Sequence, residues 1–202
     1  MADAGSASRR AILKAIAAAP VVGWSAAPTA PSQRAVTDAS PLPKIEPPAN
    51  LRRSREGRSA SRFRYHNAES FFLGVERGIV QDGHDRLYQI GIVLQLGLSS
   101  HLFDVGFTDR WCAQNIGLYI SRSLAFANAT GFGFERTEFD LLAAILSPYS
   151  RWRYPAHGER IDDVPFTPAQ LQALTRALLD HVHRVTGHPR PRGWSMRRGY
   201  RR

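Results

Sequence analysis

Two groups of arginines are the side chains best suited to chemistry in this chain. Arg52, Arg53, Arg55 and Arg58 lie within one short stretch, and Arg190, Arg192, Arg197, Arg198, Arg201 and Arg202 form a second group interleaved with Trp194 and Tyr200. A guanidinium is a planar fork of donors that grips phosphate or carboxylate with two hydrogen bonds and keeps its charge at any ordinary pH. Aromatic rings between such forks can stack on bases. The pattern therefore suits a polyanion, nucleic acid foremost, held by contacts that weaken as salt rises. An acidic protein or a membrane surface is the other partner such a tail accepts. The bland alternative is a solubilising tail: only Lys14 and Lys44 of the 27 basic residues are lysine, a bias that GC-rich coding produces whatever the protein does.

Other reactive types are present without a completed constellation. His181 and His183 sit beside Asp180, but residues two apart on a helix point about 200° apart and cannot share one metal ion there. Asp180 with Arg176 or Arg184 reads as a surface ion pair. Asp82-Gly83-His84-Asp85 gathers ligand types in one turn, and a small enzyme site would need His84 and Asp85 to meet Asp162, Asp163 or the loop at 150–166. Helix capping by Asp82 or His84 is the simpler role, because no zinc or calcium-loop spacing is completed.

Serine catalysis has no Gly-x-Ser-x-Gly elbow to anchor it, and Cys112 lies in an apolar helical stretch suited to a buried thiol. No phosphate loop or dinucleotide fingerprint is present, so the sequence assigns no cofactor, metal ligand or catalytic residue. Leu96-Gly97-Leu98-Ser99 has the glycine of a helix-turn-helix corner. The segment after it, 99–107, carries no Lys or Arg and contains Asp104, a poor composition for reading a groove.

The elements that must position these residues are helical. Phe71, Phe72, Val75 and Ile79 recur at helical spacing and predict a helix from about 63 to 80. A second, apolar on both faces and so central, spans about 85–98 or on to 103. A third runs from a cap at Thr108 or Asp109 to about 129, and a fourth follows a Thr137/Asp140 capping pair and ends at Pro148. The last has the clearest punctuation: Thr167 as N-cap, Pro168, Gln170 closing a capping box, then Gly187 and Pro189. These define an all-α fold, an irregular bundle of about five helices with disordered basic arms.

Charge divides along the same lines. The whole chain is +10, but residues 65–187 contain ten arginines against thirteen acids, a net of −3, while residues 1–64 carry +7 and residues 188–202 add six arginines and no acid. The expected organisation is a leader at 1–30, a Pro/Arg-rich linker at 31–62, a helical domain at 63–187 and an arginine-rich tail at 188–202. No window of 18 apolar residues exists to form a membrane-spanning helix.

Within the leader, Ser8-Arg9-Arg10-Ala11-Ile12-Leu13-Lys14 resembles the twin-arginine export signal, with Ile12 where that family prefers phenylalanine. The uncharged, moderately apolar stretch that such signals need follows from Ala15. The resemblance implies an export route through Arg9 and Arg10 and a periplasmic destination. A basic, alanine-rich leader on a cytoplasmic protein is the alternative.

Overall fold

The structure is a computed structural model that describes residues 47–48, 50–155 and 160–191. All of them belong to one unit of the chain, residues 42–202. Among the described residues there are six α-helices and no strand: α1 (Arg55–Glu76), α2 (Gly83–Val105), α3 (Asp109–Asn115), α4 (Ile120–Ala129), α5 (Thr137–Ile145) and α6 (Pro168–Thr186).

α2 is the centre of the fold because it is apolar nearly all round. Leu87, Ile90, Val93, Leu94, Leu98, Leu102 and Phe103 are all buried on it, and α1, α4 and α6 pack around it. α1 contributes Tyr65, Ala68, Phe72 and Val75 to the same core, and α6 contributes Leu171, Leu178, Leu179 and Val182. Residues 96–99 are helical throughout, so no helix-turn-helix corner exists there. Gly97 serves packing instead: a Cβ on it would stand 3.2 Å from Leu179 Cδ2, which lets α6 approach closely. Gly91 does the same for the 3-10 turn Tyr149–Trp152, since its Cβ would meet Tyr149 Cβ.

Three helix boundaries differ from the sequence expectation. α1 starts at Arg55, well inside the stretch expected to be linker, capped by the Ser54 hydroxyl accepting from the Gly57 amide. The expected third helix is two, giving six in place of five. Thr108 caps α3 as anticipated, but Gly117 adopts φ +60 and ends it, and α4 begins at Ile120 with its Ser121 amide donating to Ser147 Oγ from outside the helix. Thr137 opens α5 as its first helical residue, and the cap is Arg136 with no side-chain bond.

α6 follows its punctuation, with the reciprocal Thr167/Gln170 capping box formed and Gly187 left-handed at φ +66. Between α4 and α5, the Gly-Phe-Gly-Phe segment inserts Phe132 and Phe134 into the core, where both rings pack on His181 at 4.5 and 5.0 Å. In the long connection before α6, Trp152 is buried and its indole N–H donates to Ile145 O.

Candidate polyanion-binding surface

The first half of α1 buries a narrow stripe and exposes the rest. Gly57, Ser61 and Tyr65 face α2, and a Cβ on Gly57 would come within 2.8 Å of Phe103 O, so the two helices are close at this end. The chain entering α1 is fixed too. Gly106, left-handed at φ +115 beyond α2, lies against the backbone of Arg52, which anchors the root of the basic cluster on the end of α2.

Arg52, Arg53, Arg55, Arg58 and Arg62 are thereby displayed to solvent. They are not equivalent. The Asp104 carboxylate, 2% exposed, accepts from Arg58 at 2.9 Å and pairs with Arg53 at 3.5 Å, so these two arginines neutralise a buried acid while remaining half or more exposed themselves. Arg64 pairs with Asp109 at 2.9 Å and lies over the Phe103 ring. Arg52, Arg55 and Arg62 have no ion pair among the described residues and are exposed on this face.

The second arm begins on the same helix. His188, expected to open a loose tail, has no exposed surface, and its Nε2 lies 2.6 Å from Ser61 Oγ. Ser61 Oγ also lies 2.6 Å from Ser100 O, and Ser100 Oγ donates back to Ser61 O. One assignment satisfies every hydroxyl: His188 donates from Nε2 to Ser61, and Ser61 donates to the Ser100 carbonyl. Burial and the nearby Arg58 cation lower the His188 pKa to about 4, so the ring is neutral near pH 7. This serine–histidine pair resembles a nucleophile and its base, but neither residue is open to solvent. It ties α1, α2 and the end of α6 together.

Past His188 the chain stays on α1. His66 donates to Pro189 O at 2.9 Å, and His183 donates to His188 O at 2.7 Å. Arg190 reaches Asp180 at 2.9 Å and the Glu69 carboxylate at 3.6 Å. Glu69 is fully buried and also takes Arg176 at 3.0 Å and the Tyr65 hydroxyl at 3.0 Å, while Arg176 reaches Glu76 and lies 4.7 Å over the Phe72 ring. Asp180 does pair with Arg176, at 3.7 Å across one helical turn, but within a part-buried cluster that also holds Arg190 and not as an isolated surface pair. Arg184 turns to His181 Nδ1 instead.

The arginines expected to hold a polyanion therefore separate. Arg52 and Arg55 are exposed and have no ion pair among the described residues, Arg53 and Arg58 are shared with Asp104, and Arg190 is committed to Glu69 and Asp180. Arg192, Trp194, Arg197, Arg198, Tyr200, Arg201 and Arg202, with Arg9 and Arg10 of the leader, lie outside the described residues. Arg62 and Phe63 occupy the displayed face as well; one turn of helix beyond Arg58 and Ser59 was the signal that could have found them.

The remaining candidates form no shared polar site among the described residues, although the turn at 82–85 does lie against the 150–166 connection, where Gly83 faces Ile161. Asp82 caps α2, accepting from the Asp85 amide. His84 packs on Trp152 at 5.9 Å and makes no hydrogen bond with Asp162 or Asp163, and Asp162 pairs with Arg160 at 3.7 Å. His181 binds Phe132 O while His183 binds His188 O, on different sides of α6. Cys112 is buried and its thiol is pushed up to about 12 by desolvation. Among the described residues no group of three or more His, Cys, Asp or Glu is placed to hold a metal ion, and no helix is long and apolar enough to cross a membrane. No family model matches the chain, and neither the curated proteins nor the solved structures compared with it contain a match.

Proposed function

We propose that this protein is a non-enzymatic binding or accessory protein that holds a polyanion, nucleic acid foremost, with arginines on both sides of its helical body. In this reading the helices act as an irregular bundle that carries the two arginine groups, the first of them continuing onto α1. One observation carries it. The segment 188–190 is seated on α1, beside Arg58 and Arg62, so the roots of the two arginine groups adjoin on a single helix. Arginines distributed only by codon bias have no reason to converge in this way.

Binding to labelled single-stranded and duplex oligonucleotides, and to heparin, tests the proposal. Affinity should fall roughly a hundredfold or more between about 0.05 and 0.2 M salt, as expected when several phosphate contacts release counterions. Ending the chain after Pro191, which leaves His188 and Arg190 seated, should weaken binding, and so should replacing Arg52, Arg55 and Arg62 together by Gln. Unchanged affinity in both variants overturns the proposal.

A second reading rests on Ser8-Arg9-Arg10 and the apolar stretch after it: a folded protein exported to the periplasm that binds a ligand or partner there. Replacing Arg9 and Arg10 by Lys should stop export of a reporter fusion. Equal export by the doubly substituted leader removes this reading.

A further inference from the structure

Phe63 is 61% exposed on a helix whose other large rings, Tyr65 and Phe72, are completely buried. It follows Arg55 and Ser59 at four-residue steps, so the three form one ridge, and together with Glu56 and Ala60 they line a shallow open depression on the outer face of α1. Arg62 stands next to the ring in sequence and Arg58 one turn before it. Among the described residues no ring or cation stacks on Phe63. Tyr154 is more exposed at 76%, but the Arg153 guanidinium already lies 5.2 Å over it, so its face is partly taken.

An open aromatic face flanked by cations is what single-stranded nucleic acid requires: guanidinium groups for the phosphates and a flat apolar surface for an unpaired base. A duplex offers no such base face, because its bases are already stacked on one another. We infer that the Arg55–Ser59–Phe63 ridge of α1 is a docking site for single-stranded nucleic acid, with Phe63 as the stacking platform and Arg55 and Arg62, which no acid of the described residues holds, as the phosphate contacts. The inference deepens the polyanion reading and rests on it.

Two other occupants fit the face less well. A lipid surface takes up a helix by a broad apolar face, and the apolar face of α1 is spent against the core, leaving Phe63 among Glu56, Ser59 and arginines. A second copy of this chain would bring the same arginines against themselves. Glu56 is the single acid lining the depression, and Asp104 offsets part of the charge of Arg53 and Arg58. With these two acids against Arg52, Arg53, Arg55, Arg58 and Arg62, the face keeps a positive balance.

The full chain carrying Phe63→Ala, and separately Phe63→Trp, is compared with the parent in binding labelled oligothymidylate, oligouridylate, a duplex and heparin at low salt. Phe63→Ala should weaken the single strands roughly tenfold, the loss of about one base–aromatic stack, and leave heparin, which has no bases, unchanged. Phe63→Trp should retain single-strand affinity and show fluorescence quenching on binding. The loss should appear with both single strands, because stacking uses the base face and not the sugar. Equal binding of oligothymidylate by Phe63→Ala and parent overturns the inference while the polyanion reading stands. Phe63-dependent binding to phosphatidylglycerol vesicles that exceeds oligothymidylate binding also overturns it, in favour of a lipid surface. If no polyanion binds even to the parent, both readings fall. Because Phe63 is exposed, circular dichroism should show both variants folded.

Discussion

Two buried histidines make the folded state sensitive to acid. Desolvation, the largest influence on each, lowers the pKa of His101 and of His188 to about 4, below the ordinary 6.5. A folded-state value below the unfolded one means that, between about pH 6.5 and 4, the unfolded chain binds more protons. Stability is therefore fully present above 6.5 and is lost as pH falls toward 4, by up to about 3 kcal/mol per histidine. The groups facing His188 are Arg58, Arg62 and His66, which disfavour its protonation, and Asp104, which favours it. Urea midpoints should fall between pH 7 and pH 4.5, and a His188→Gln, His101→Gln double variant should show a flatter profile. A pH-independent parent midpoint would contradict this account.

Glu69 gives a second prediction at the same scale. Its carboxylate is fully buried and Arg176 holds it at 3.0 Å. Arg176→Met keeps much of the side-chain volume over Phe72 and removes that charge, which should cost roughly 3 kcal/mol in chemical denaturation. Combining it with Glu69→Gln should cost less than the sum of the two single changes, because both remove the same interaction. Additive losses would show that the two groups are uncoupled. None of these long-range pairings could be read from sequence. Glu69 and Arg176 are 107 positions apart and Ser61 and His188 are 127 apart, and nothing local at either position records its partner.

At the scale of elements, legibility followed how local the cause was. α6 could be read to its termini because Thr167, Pro168, Gln170 and Gly187 act within a turn of where they sit. The start of α1 could not, because its buried stripe there is Gly57 and Ser61, which have little apolar surface to mark a helical period amid arginines. α3 and α4 merged in the sequence because apolar residues continue at helical spacing across Gly117, and the break depends on that glycine's left-handed backbone. Gly97 suggested a corner, whereas its use is to admit α6.

The same reasoning predicts the cost at Gly91. Alanine is the better helix former by about 1 kcal/mol, but its Cβ would stand 2.4 Å from Tyr149 Cβ, a contact that one of the two elements must move to relieve. Gly91→Ala should therefore destabilise, by roughly 2 kcal/mol net. A thermal melt at or above that of the parent would mean that the Tyr149–Trp152 turn yields freely.

For the whole molecule, the all-α class and the separation of an acidic body from basic flanks were legible from hydrophobic period and charge. The border between body and flanks was not, since arginines that seem to belong to the flanks are held by acids of the body: Arg53 and Arg58 by Asp104, Arg190 by Glu69 and Asp180. This changes how the flanks should be probed. A chain ended before His188 loses a buried ring as well as the arginines after it, so its melting point should fall along with any binding. A chain ended after Pro191 should melt with the parent. If both truncations melt with the parent, the seating of 188–190 contributes nothing to stability.

That seating on α1 also has a kinetic side. Because Pro189 and Arg190 are held on α1, the chain beyond them departs from beside the helix that carries Arg55 and Arg62. Under the proposed binding, a polyanion caught by one group would meet the other at an effective concentration on the order of millimolar. Two individually weak grips would, on that proposal, behave as one slow-releasing grip. The dissociation rate of the intact chain should be set by how rarely both let go together.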